Sequence, residues 1–479
     1  MGIFGSEKDR LLELIRNGSP MTRRQQLRLT VVLSIPAIMA QMSNIVMEYI
    51  DAAMVGSLGA HATASIGLVA TSTWLLWGLL SSASTGFAVQ VAHLTGAGDN
   101  DGARSVVRQA LATVCIFGMA VAAAGTAVSS RLPVWLGGEQ AIVADAAVYF
   151  RIFVLSLPVL QILSLSGSML RCSGNIVVPS VTNVAMCVMD VVLNFFLIFP
   201  SRTLTLCGME FSVWGAGLGV KGAAIGTAAA SAAGAATMLW YMWFRSKELR
   251  LAGTRGSFRL RRDCMKKALK IASPIGFERL LFCGAYITTT VIVAPLGAVA
   301  IAAHSLAVTA ESLCYMPGYG IGDAATTVIG QSIGAGRRSL ARRFGRMTVW
   351  TAVGVMTVMG AVMYFAAPTM MGILTPVEAI RTAGTEILRI EAFAEPMYAA
   401  SIVAYGAFVG AGDTFIPCCM NLGSMWAVRL LLAALLAPVM GLRGVWIAMC
   451  VELCFRGAIF LWRLYGERWI KITDKKQEL

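Results

Sequence analysis

Two aspartates interrupt apolar stretches in the first half of the chain, Asp51 and Asp190. An ionisable side chain near the middle of a bilayer costs roughly 2.5–3.5 kcal/mol on insertion scales, so such a residue indicates a function or a specific pairing. At about 1.5 Å per helical residue, Asp51, Asp190 and Thr227 lie roughly 12–15 Å from the same end of their helices. This common depth predicts one pocket in which two carboxylates and a hydroxyl bind a proton or a cation. Alternatively, each aspartate pairs with an interior arginine or caps a kink, and Thr227 bonds a carbonyl of its own helix.

Acidic residues in the second half lie at other positions. Glu278 and Glu311 belong to two successive apolar stretches. Glu278 could balance the charge of a bound cation or carry a proton, or it could pair with Arg429. Glu452 and Arg456 are four residues apart on one predicted helix, a spacing that predicts a structural ion pair.

The sequence offers no constellation for metal, nucleophilic or ATP chemistry. Its three histidines, His61, His93 and His304, are scattered, and the glycine-rich segments lack the Lys-Ser/Thr of a phosphate-binding loop. Eleven cysteines is an odd number, and they show no metal-ligand spacing. We therefore expect neither an enzyme nor a cofactor.

An internal repeat supplies the elements that must position these residues. The offset between matched landmarks is 238, as for Pro36 and Pro274, Gly59 and Gly297, Gly98 and Gly336, Pro179 and Pro417, and Asn183 and Asn421. Two residues separated by this offset are called repeat-related below. Hydrophobic segments predict helices at 28–55, 61–92, 105–128, 143–170, 176–199 and 217–244, and again at 266–293, 299–330, 344–366, 381–408, 414–438 and 443–464. We therefore predict an all-α polytopic membrane protein with 12 transmembrane helices in two six-helix bundles and a central cleft.

Composition and charge agree with a membrane protein. The 479 residues are 57% hydrophobic and only 13% charged, whereas a soluble domain carries roughly 25% charged residues. The net charge of +14 does not indicate nucleic-acid binding, because the basic residues cluster in segments that an even span count places on one side. The positive-inside rule then places both termini in the cytoplasm. The predicted parts are an N-terminal segment 1–27, bundles 28–244 and 266–464, a linker 245–265 and a tail 465–479.

The cleft between the bundles is the predicted binding site for an organic ligand. Apolar and aromatic walls with a few acids suit an amphipathic cation, through dispersion and cation–π contacts. Residues expected to face the cleft are Met39, Trp74, Glu278, Glu311 and Tyr315. Pro36 and Pro274 each remove a helix hydrogen bond and are expected to act as hinges.

Several spaced motifs resemble the multidrug and toxic compound extrusion (MATE) family over essentially the whole chain. They are IDAAMVGSLGA at 50–60, MLRCSGN at 169–175, GVKGAAIGTAAA at 219–230, GQSIGAGRRSLARR at 330–343 and AFVGAGDTFIP at 407–417. The archaeal and DinF-type branch is most similar around Asp51. In that branch the fifth span carries an asparagine and, one turn later, an aspartate. Here the order is exchanged, with Asp190 at the first position and Asn194 at the second.

The resemblance implies a monomeric inner-membrane antiporter that expels drugs or other organic cations in exchange for H⁺ or Na⁺. Asp51, Asp190, Asn194 and Thr227 would form its cation-coupling site. A lipid-linked oligosaccharide flippase of the same superfamily is the alternative. Such relatives tend to carry more cationic residues in the cavity, whereas the intramembrane charges here are mainly acidic.

Overall fold

The computed structural model describes residues 2–206, 209–466 and 468–470, so most of the predicted tail lies outside the described residues. The first half contains α1 (Gly2–Arg16), α2 (Arg23–Gly56), α3 (Ala60–Gly96), α4 (Asn100–Val128), the single turn α5 (Leu132–Trp135), α6 (Gln140–Cys172), α7 (Val177–Ile198), the strands β1 (Pro200–Leu206) and β2 (Met209–Ala216), and α8 (Val220–Phe244). The second half contains α9 (Arg262–Val293), a 3₁₀ turn (Ala294–Leu296), α10 (Ala298–Gly334), α11 (Arg338–Leu374), α12 (Glu378–Glu391), α13 (Glu395–Gly410), α14 (Phe415–Gly423), a π-helical segment (Ser424–Leu430), α15 (Leu431–Met440) and α16 (Leu442–Tyr465).

Twelve membrane spans result, which confirms the predicted fold class. Eleven helical stretches of the described chain are long and apolar enough to cross a bilayer, and α12 with α13 forms a twelfth span bent by 61°. The sequence predicted an unbroken helix over 381–408, and this was wrong. The break lies at 392–394, directly before Glu395 and Pro396, where a proline is accommodated in the first turn of a new helix.

The helices of the two halves follow the same order. α3 and α10 begin at repeat-related residues, as do α4 and α11, and α7 and α14. The offset between the first residues of α8 and α16 is smaller than the repeat offset, because the antiparallel hairpin of β1 and β2 lengthens the first half. The sequence predicted only a loop there. The guanidinium of Arg202 stacks over the rings of Phe195 and Phe199, at 4.7 and 4.1 Å, and fixes the hairpin to α7.

Each half forms a lobe around its own apolar core, but the first membrane span of each half, α2 or α9, crosses to the other lobe. Leu29 and Leu33 of α2 are buried in a cluster made mainly by α10, α11 and α13. Conversely, Cys264 and Ala268 of α9 are buried in the core of the first lobe. α2 and α9 therefore connect the two lobes.

The lobes meet at the face that carries α1, the connector 245–261 and the short turns at 97–99 and 335–337, here called the basic face. His93 of α3 contacts the carbonyl oxygen of Gly410 at 2.8 Å. Gln331 of α10 donates to the carbonyl oxygen of Cys172 at 3.0 Å. His93 and Gln331 are repeat-related, and so are Cys172 and Gly410. The two contacts are thus equivalent and close the basic face on both sides of the junction.

Two glycines allow this closure. A Cβ on Gly96 would lie 2.1 Å from the carbonyl oxygen of Gln331, and a Cβ on Gly334 would lie 1.9 Å from that of His93. Because real Cβ atoms do not approach so closely, the α3 and α10 backbones can come this close only because residues 96 and 334 are both glycine. Gly96 and Gly334 are themselves repeat-related.

The predicted N-terminal segment contains a docked helix, α1. Its Leu11, Leu12 and Ile15 are buried in the same cluster as the basic end of α2. Arg16 donates to the carbonyl oxygen of Ser173 in the first lobe at 2.9 Å and to Gln331 in the second at 3.4 Å. α1 therefore spans the junction between the lobes.

Candidate functional site

A central cavity of about 1140 Å³ lies between the lobes. Its lining extends to Val55 and Thr63, close to the turn between α2 and α3, at the face opposite the basic face. Toward the basic face the lining reaches Val89, Thr327 and Cys172, where the contacts that close the junction begin. The described chain is thus closed at the basic face, and its cavity approaches the opposite one.

The predicted first-half pocket is assembled on α2, α7 and α8. The side-chain amide of Asn194 donates to Asp51 at 2.9 Å and to Asp190 at 3.2 Å. Asp190 also lies beside Asp51 and the hydroxyl of Thr227. Asp190 and Asn194 are adjacent on one face of α7 because they are four residues apart. The exchange of their order therefore leaves both groups in the pocket.

This cluster has unused oxygen atoms. One carboxylate oxygen of Asp190 and the amide oxygen of Asn194 are buried without a hydrogen-bond partner among the described residues. Asn194 packs against the backbone of Gly226, where a Cβ would lie 2.0 Å from the amide oxygen. Asp51, Asn194 and Thr227 also line the central cavity, whereas Asp190 is buried behind them. Two carboxylates with free oxygens beside a cavity can accept a proton or an oxygen-coordinated cation.

The structure shows neither of the alternative roles for Asp51 and Asp190, pairing with an arginine or capping. Among the described residues, the hydrogen-bond partner of both aspartates is Asn194, not an interior arginine. The two acids are not caps either, since α2 and α7 continue beyond them.

The cavity walls carry aromatic rings, as expected. Trp74 lines the first-lobe side, and Tyr315 lines the second-lobe side, where it packs edge-on against Tyr319 and Tyr398. Trp77 also lines the cavity and is repeat-related to Tyr315. The same helix position thus supplies an aromatic ring to both walls.

Glu278 lines the cavity and does not pair with Arg429. One carboxylate oxygen accepts from Asn421 at 2.7 Å and the other from the Tyr405 hydroxyl at 2.6 Å. Both oxygens are therefore hydrogen-bonded. Arg429 instead contacts Glu452, at 2.8 Å.

Two residues expected in the cleft do not line it. Ser312 faces the cavity, and Glu311, about 100° around the same helix, is buried in the second lobe beside Glu391 and Glu395. Met39 is 59% exposed but lies outside the cavity lining. In both cases the adjacent residue along the helix faces the cavity, so an error of one residue in the predicted face explains the difference.

The two prolines expected to act as hinges lie inside unbroken helices. Pro36 belongs to α2 and Pro274 to α9. The oxygen of Pro274 accepts from the thiol of Cys418 at 3.2 Å. Bending at these positions remains a prediction.

Glu48 is a cavity residue that the sequence analysis missed. It is exposed in the cavity lining, one turn before Asp51 on α2. The three-residue spacing places both acids on one helix face, a signal that could have identified it. Asn44, one turn earlier again, accepts from Asn183 of α7 at 2.9 Å, so this face of α2 is polar over three turns.

Comparison with known proteins gives the same fold and shows the family. The MatE family model matches residues 36–196 and 274–435, one match in each half. The chain is 23% identical over 461 residues to a probable multidrug resistance protein NorM of Thermotoga maritima, covering 96% of each protein. It is 27% identical over 456 residues to the protein of the same name from Deinococcus radiodurans, covering 92% of this chain and 96% of that one.

Solved structures show the same architecture. The chain superposes on the outward-facing conformation of a multidrug resistance MATE family transporter with a TM-score of 0.85 at 19% identity, covering 95% of this chain and 97% of that one. It superposes on a MATE structure in the straight conformation with a TM-score of 0.84 at 20% identity, covering 95% of this chain and 98% of that one. Because the family model matches most of the chain, in both halves, this multi-span membrane protein belongs to the MATE family, whose members are transporters and not enzymes.

Proposed function

We propose that the chain is a secondary active antiporter that exports amphipathic organic cations in exchange for H⁺ or Na⁺ by alternating access. The observation that carries the proposal is the cluster of Asp51, Asp190 and Asn194 beside the central cavity, with a buried carboxylate oxygen that has no partner among the described residues. The names of the curated relatives support drug export.

Ion binding at this cluster would depend on the negative charge of its two carboxylates. Two carboxylates in one buried pocket repel each other, so one proton or one Na⁺ relieves the repulsion. The donor set of Asp51, Asp190, Asn194 and Thr227 consists of oxygen atoms, which hold either ion. Binding would change the contacts between α2 and α7, and α2 also packs on the second lobe. The ion can in this way bias the lobe arrangement.

The cavity suits an amphipathic cation. Trp74, Tyr315 and their aromatic neighbours supply flat apolar surfaces, and Glu48 and Asp51 supply negative charge. The basic residues of the connector and turns support a cytoplasmic location of both termini, and we propose that the chain is a monomer in the inner membrane. The closed basic face would then be cytoplasmic, and the cavity would open outward for substrate release.

The experiment uses the purified chain in liposomes loaded with a fluorescent cation, under a pH gradient alone and then a Na⁺ gradient alone. Asp51→Asn and Asp190→Asn should each lower ion-driven efflux by at least about tenfold, the effect expected for loss of one charged ligand. Asp145→Asn, at an exposed position of α6, is the matched control and should pump normally.

Two outcomes would contradict the proposal. Wild-type efflux rates in both variants would exclude the first-lobe cluster as the coupling site. Movement of a labelled lipid-linked oligosaccharide in the same liposomes, without ion-driven dye efflux, would favour the flippase alternative.

A further inference from the structure

A second cavity lies on the outside of the second lobe, between α11, α12 and α16. Its volume is about 810 Å³, and it shares no lining residue with the central cavity. Arg381 and Arg443 line it near the first residues of α12 and α16, at the face opposite the basic face, and Arg389, Phe393 and Val451 line it farther along. This cavity, here called the lateral groove, therefore runs from that face into the membrane.

The lateral groove is open to the bilayer. Large apolar side chains around it are exposed, Phe365 and Ile373 of α11 by 79% and 80% and Phe393 by 71%. In a chain that crosses the membrane twelve times, apolar side chains on the outside of a span face hydrocarbon. The occupant of the groove is therefore a molecule of the bilayer.

The groove reaches the level where phosphate groups and acyl chains meet. α11 has 37 residues, roughly 55 Å at about 1.5 Å per residue, and exceeds a hydrocarbon core of about 30 Å by roughly 12 Å at each end when it is centred in the bilayer. Arg389 lies eleven residues from the start of α12, roughly 16 Å from the outer end of the span. Its guanidinium is thus close to the edge of the hydrocarbon core.

The lining of the groove carries an excess positive charge. It contains three arginines and two glutamates. Glu378 pairs with Arg381, and Glu386 pairs with Arg443 at 2.7 Å. One positive charge, that of Arg389, is left in excess.

Arg389 is oriented but not used up by its contacts. Its Nε donates to the carbonyl oxygen of Tyr364 at 3.3 Å, and its guanidinium lies 5.4 Å from the centre of the Tyr364 ring. Its two terminal nitrogens make no hydrogen bond to the residues that the structure describes, and the side chain is exposed. A guanidinium with a free planar pair of donors matches the oxygens of a phosphate.

The charged rim of the groove belongs to the second half alone. The repeat-related residues of its other charged α12 positions are neutral, Gln140 for Glu378, Val143 for Arg381 and Val148 for Glu386. Arg389 has a charged counterpart, Arg151 of α6, which is also exposed but lines neither cavity. The chain thus contains two exposed arginines at one depth, and the lateral groove surrounds one of them.

We infer that the lateral groove binds an anionic glycerophospholipid. Its phosphate would lie on the terminal nitrogens of Arg389, and one acyl chain would extend past Phe393, one turn farther into the membrane, and Val451. In the orientation proposed above, this lipid belongs to the outer leaflet. The inference concerns the lipid-facing side of the second lobe and is independent of the ion and substrate sites.

The test measures lipid binding to the purified full chain in detergent by native mass spectrometry. Dioleoyl phosphatidylglycerol should bind about tenfold more tightly than dioleoyl phosphatidylcholine, which has the same acyl chains and no net charge, because it adds a charge-assisted contact that the zwitterion offsets. Glycerol 3-phosphate, which has the phosphate without acyl chains, should not bind at the concentrations that saturate the site with phosphatidylglycerol. Equal binding of glycerol 3-phosphate would identify a site for a free phosphate and overturn the lipid assignment.

Substitutions locate the site. Arg389→Gln should weaken binding of phosphatidylglycerol by about tenfold, as for loss of one hydrogen bond to a charged group, and Arg389→Lys should retain part of the affinity because it keeps the charge. Arg151→Gln, at the repeat-related position outside the groove, is the matched control and should bind as wild type does. Glu386→Gln should not weaken binding, since it removes a carboxylate that repels the phosphate.

Val451→Trp tests the acyl-chain contact without changing any charge. The larger side chain fills the apolar part of the groove and should lower binding of both lipids. Unfolding temperatures in lipid-free detergent show whether each variant is folded.

Three outcomes would overturn the inference. They are equal binding of the two lipids by the wild-type chain, equal losses in Arg389→Gln and Arg151→Gln, and unchanged lipid binding in Val451→Trp. Loss of dye efflux without a change in lipid binding would count against the export function and leave the lipid site intact.

Discussion

The second lobe contains a buried ion-pair cluster. Glu452 is fully buried and contacts Arg429 at 2.8 Å and Arg456 at 2.6 Å. Removing one partner from a buried pair leaves a charge without compensation, which costs about 3–5 kcal/mol. Glu452→Gln should therefore destabilise the chain by about that amount, measured as a lower unfolding temperature in detergent.

A surface pair provides the control. Glu386 and Arg443 lie 2.7 Å apart but are 39% and 62% exposed. Exposed pairs contribute about 0–1 kcal/mol, so Glu386→Gln should change the unfolding temperature little. Equal destabilisation by the two substitutions would show that burial of Glu452 does not matter.

The sequence predicted contacts between residues that are close along the chain better than contacts between residues that are distant along it. The pair of Glu452 and Arg456 is confirmed, because a spacing of four residues fixes neighbours on a helix. Arg429, which completes the cluster, comes from another helix and could not be found by spacing. The depth of an aspartate along a span follows from its position in the sequence, and the first-lobe acids do meet. The side of the helix that faces the cavity depends on packing against other helices, and Glu311 and Met39 were wrongly placed for that reason.

At the scale of the helix, α1 is expected to stabilise closure of the basic face. Arg16 of α1 forms an ion pair with Glu248 at 3.0 Å and donates to both lobes. Arg16→Ala removes hydrogen bonds worth about 1.5–3 kcal/mol for a charged donor. Hydrogen exchange of α1 amides should become about tenfold faster or more, as local opening becomes easier.

An exposed arginine nearby serves as the comparison. Arg24→Ala, on the first turn of α2 at an exposed position, should leave α1 exchange unchanged. Identical exchange in the Arg16 variant and wild type would show that α1 is held by its apolar contacts alone.

Docking of α1 on the rest of the chain should also weaken at acid pH. Burial raises the pKa of Asp9, but Lys8 and Lys247 lower it by more, so the pKa lies below its ordinary value. A carboxyl group whose pKa is lowered on folding stabilises the folded form at neutral pH, and that contribution is lost as the pH falls through the folded value. The ion pair of Asp9 with Lys247, at 3.2 Å, should therefore weaken only in acid. Hydrogen exchange of α1 amides, measured over a pH series and corrected for the intrinsic exchange rate, checks this.

Hydrophobic runs predicted the spans but not their interruptions. The bend between α12 and α13 lies in the second-half counterpart of α6, which is unbroken although it contains Pro158, the residue repeat-related to Pro396. The π-helical segment at 424–430 likewise has a first-half counterpart, residues 186–192, that lies within the continuous helix α7. Such features depend on packing against other helices, which periodicity does not report.

At the scale of the whole molecule, the repeat organises the closure between the lobes. His93 and Gln331 are repeat-related, and they make equivalent contacts to Gly410 and Cys172, which are repeat-related as well. The repeat is visible in the sequence, whereas the role of these residues is visible only in the structure, where the two lobes are in contact. An approximate two-fold junction of this kind can open by separation of its two halves at once, which alternating access requires.

This junction gives a prediction about the conformational equilibrium. A Cβ on Gly96 would lie 2.1 Å from the carbonyl oxygen of Gln331, and overpacking of this kind costs about 1–3 kcal/mol. Alternative conformations of a transporter differ by a few kcal/mol. Gly96→Ala should therefore shift the population toward a form that is open at the basic face. Spin labels at the exposed, repeat-related positions Asp101 and Ser339, in a cysteine-depleted chain, should report longer distances.

Two further glycines make this prediction specific. Gly334→Ala should have the same effect, because its Cβ would lie 1.9 Å from the carbonyl oxygen of His93. Gly354→Ala is the control, since an added Cβ there meets no atom within 4 Å, and alanine favours the helix by about 1 kcal/mol over glycine. If all three variants give the wild-type distance, close backbone contact at the basic face does not control the opening. If only the two junction variants lengthen the distance between the labels, closure of the basic face depends on the absence of side chains at these repeat-related positions. The lobes then separate at the point where α3 and α10 lie closest together.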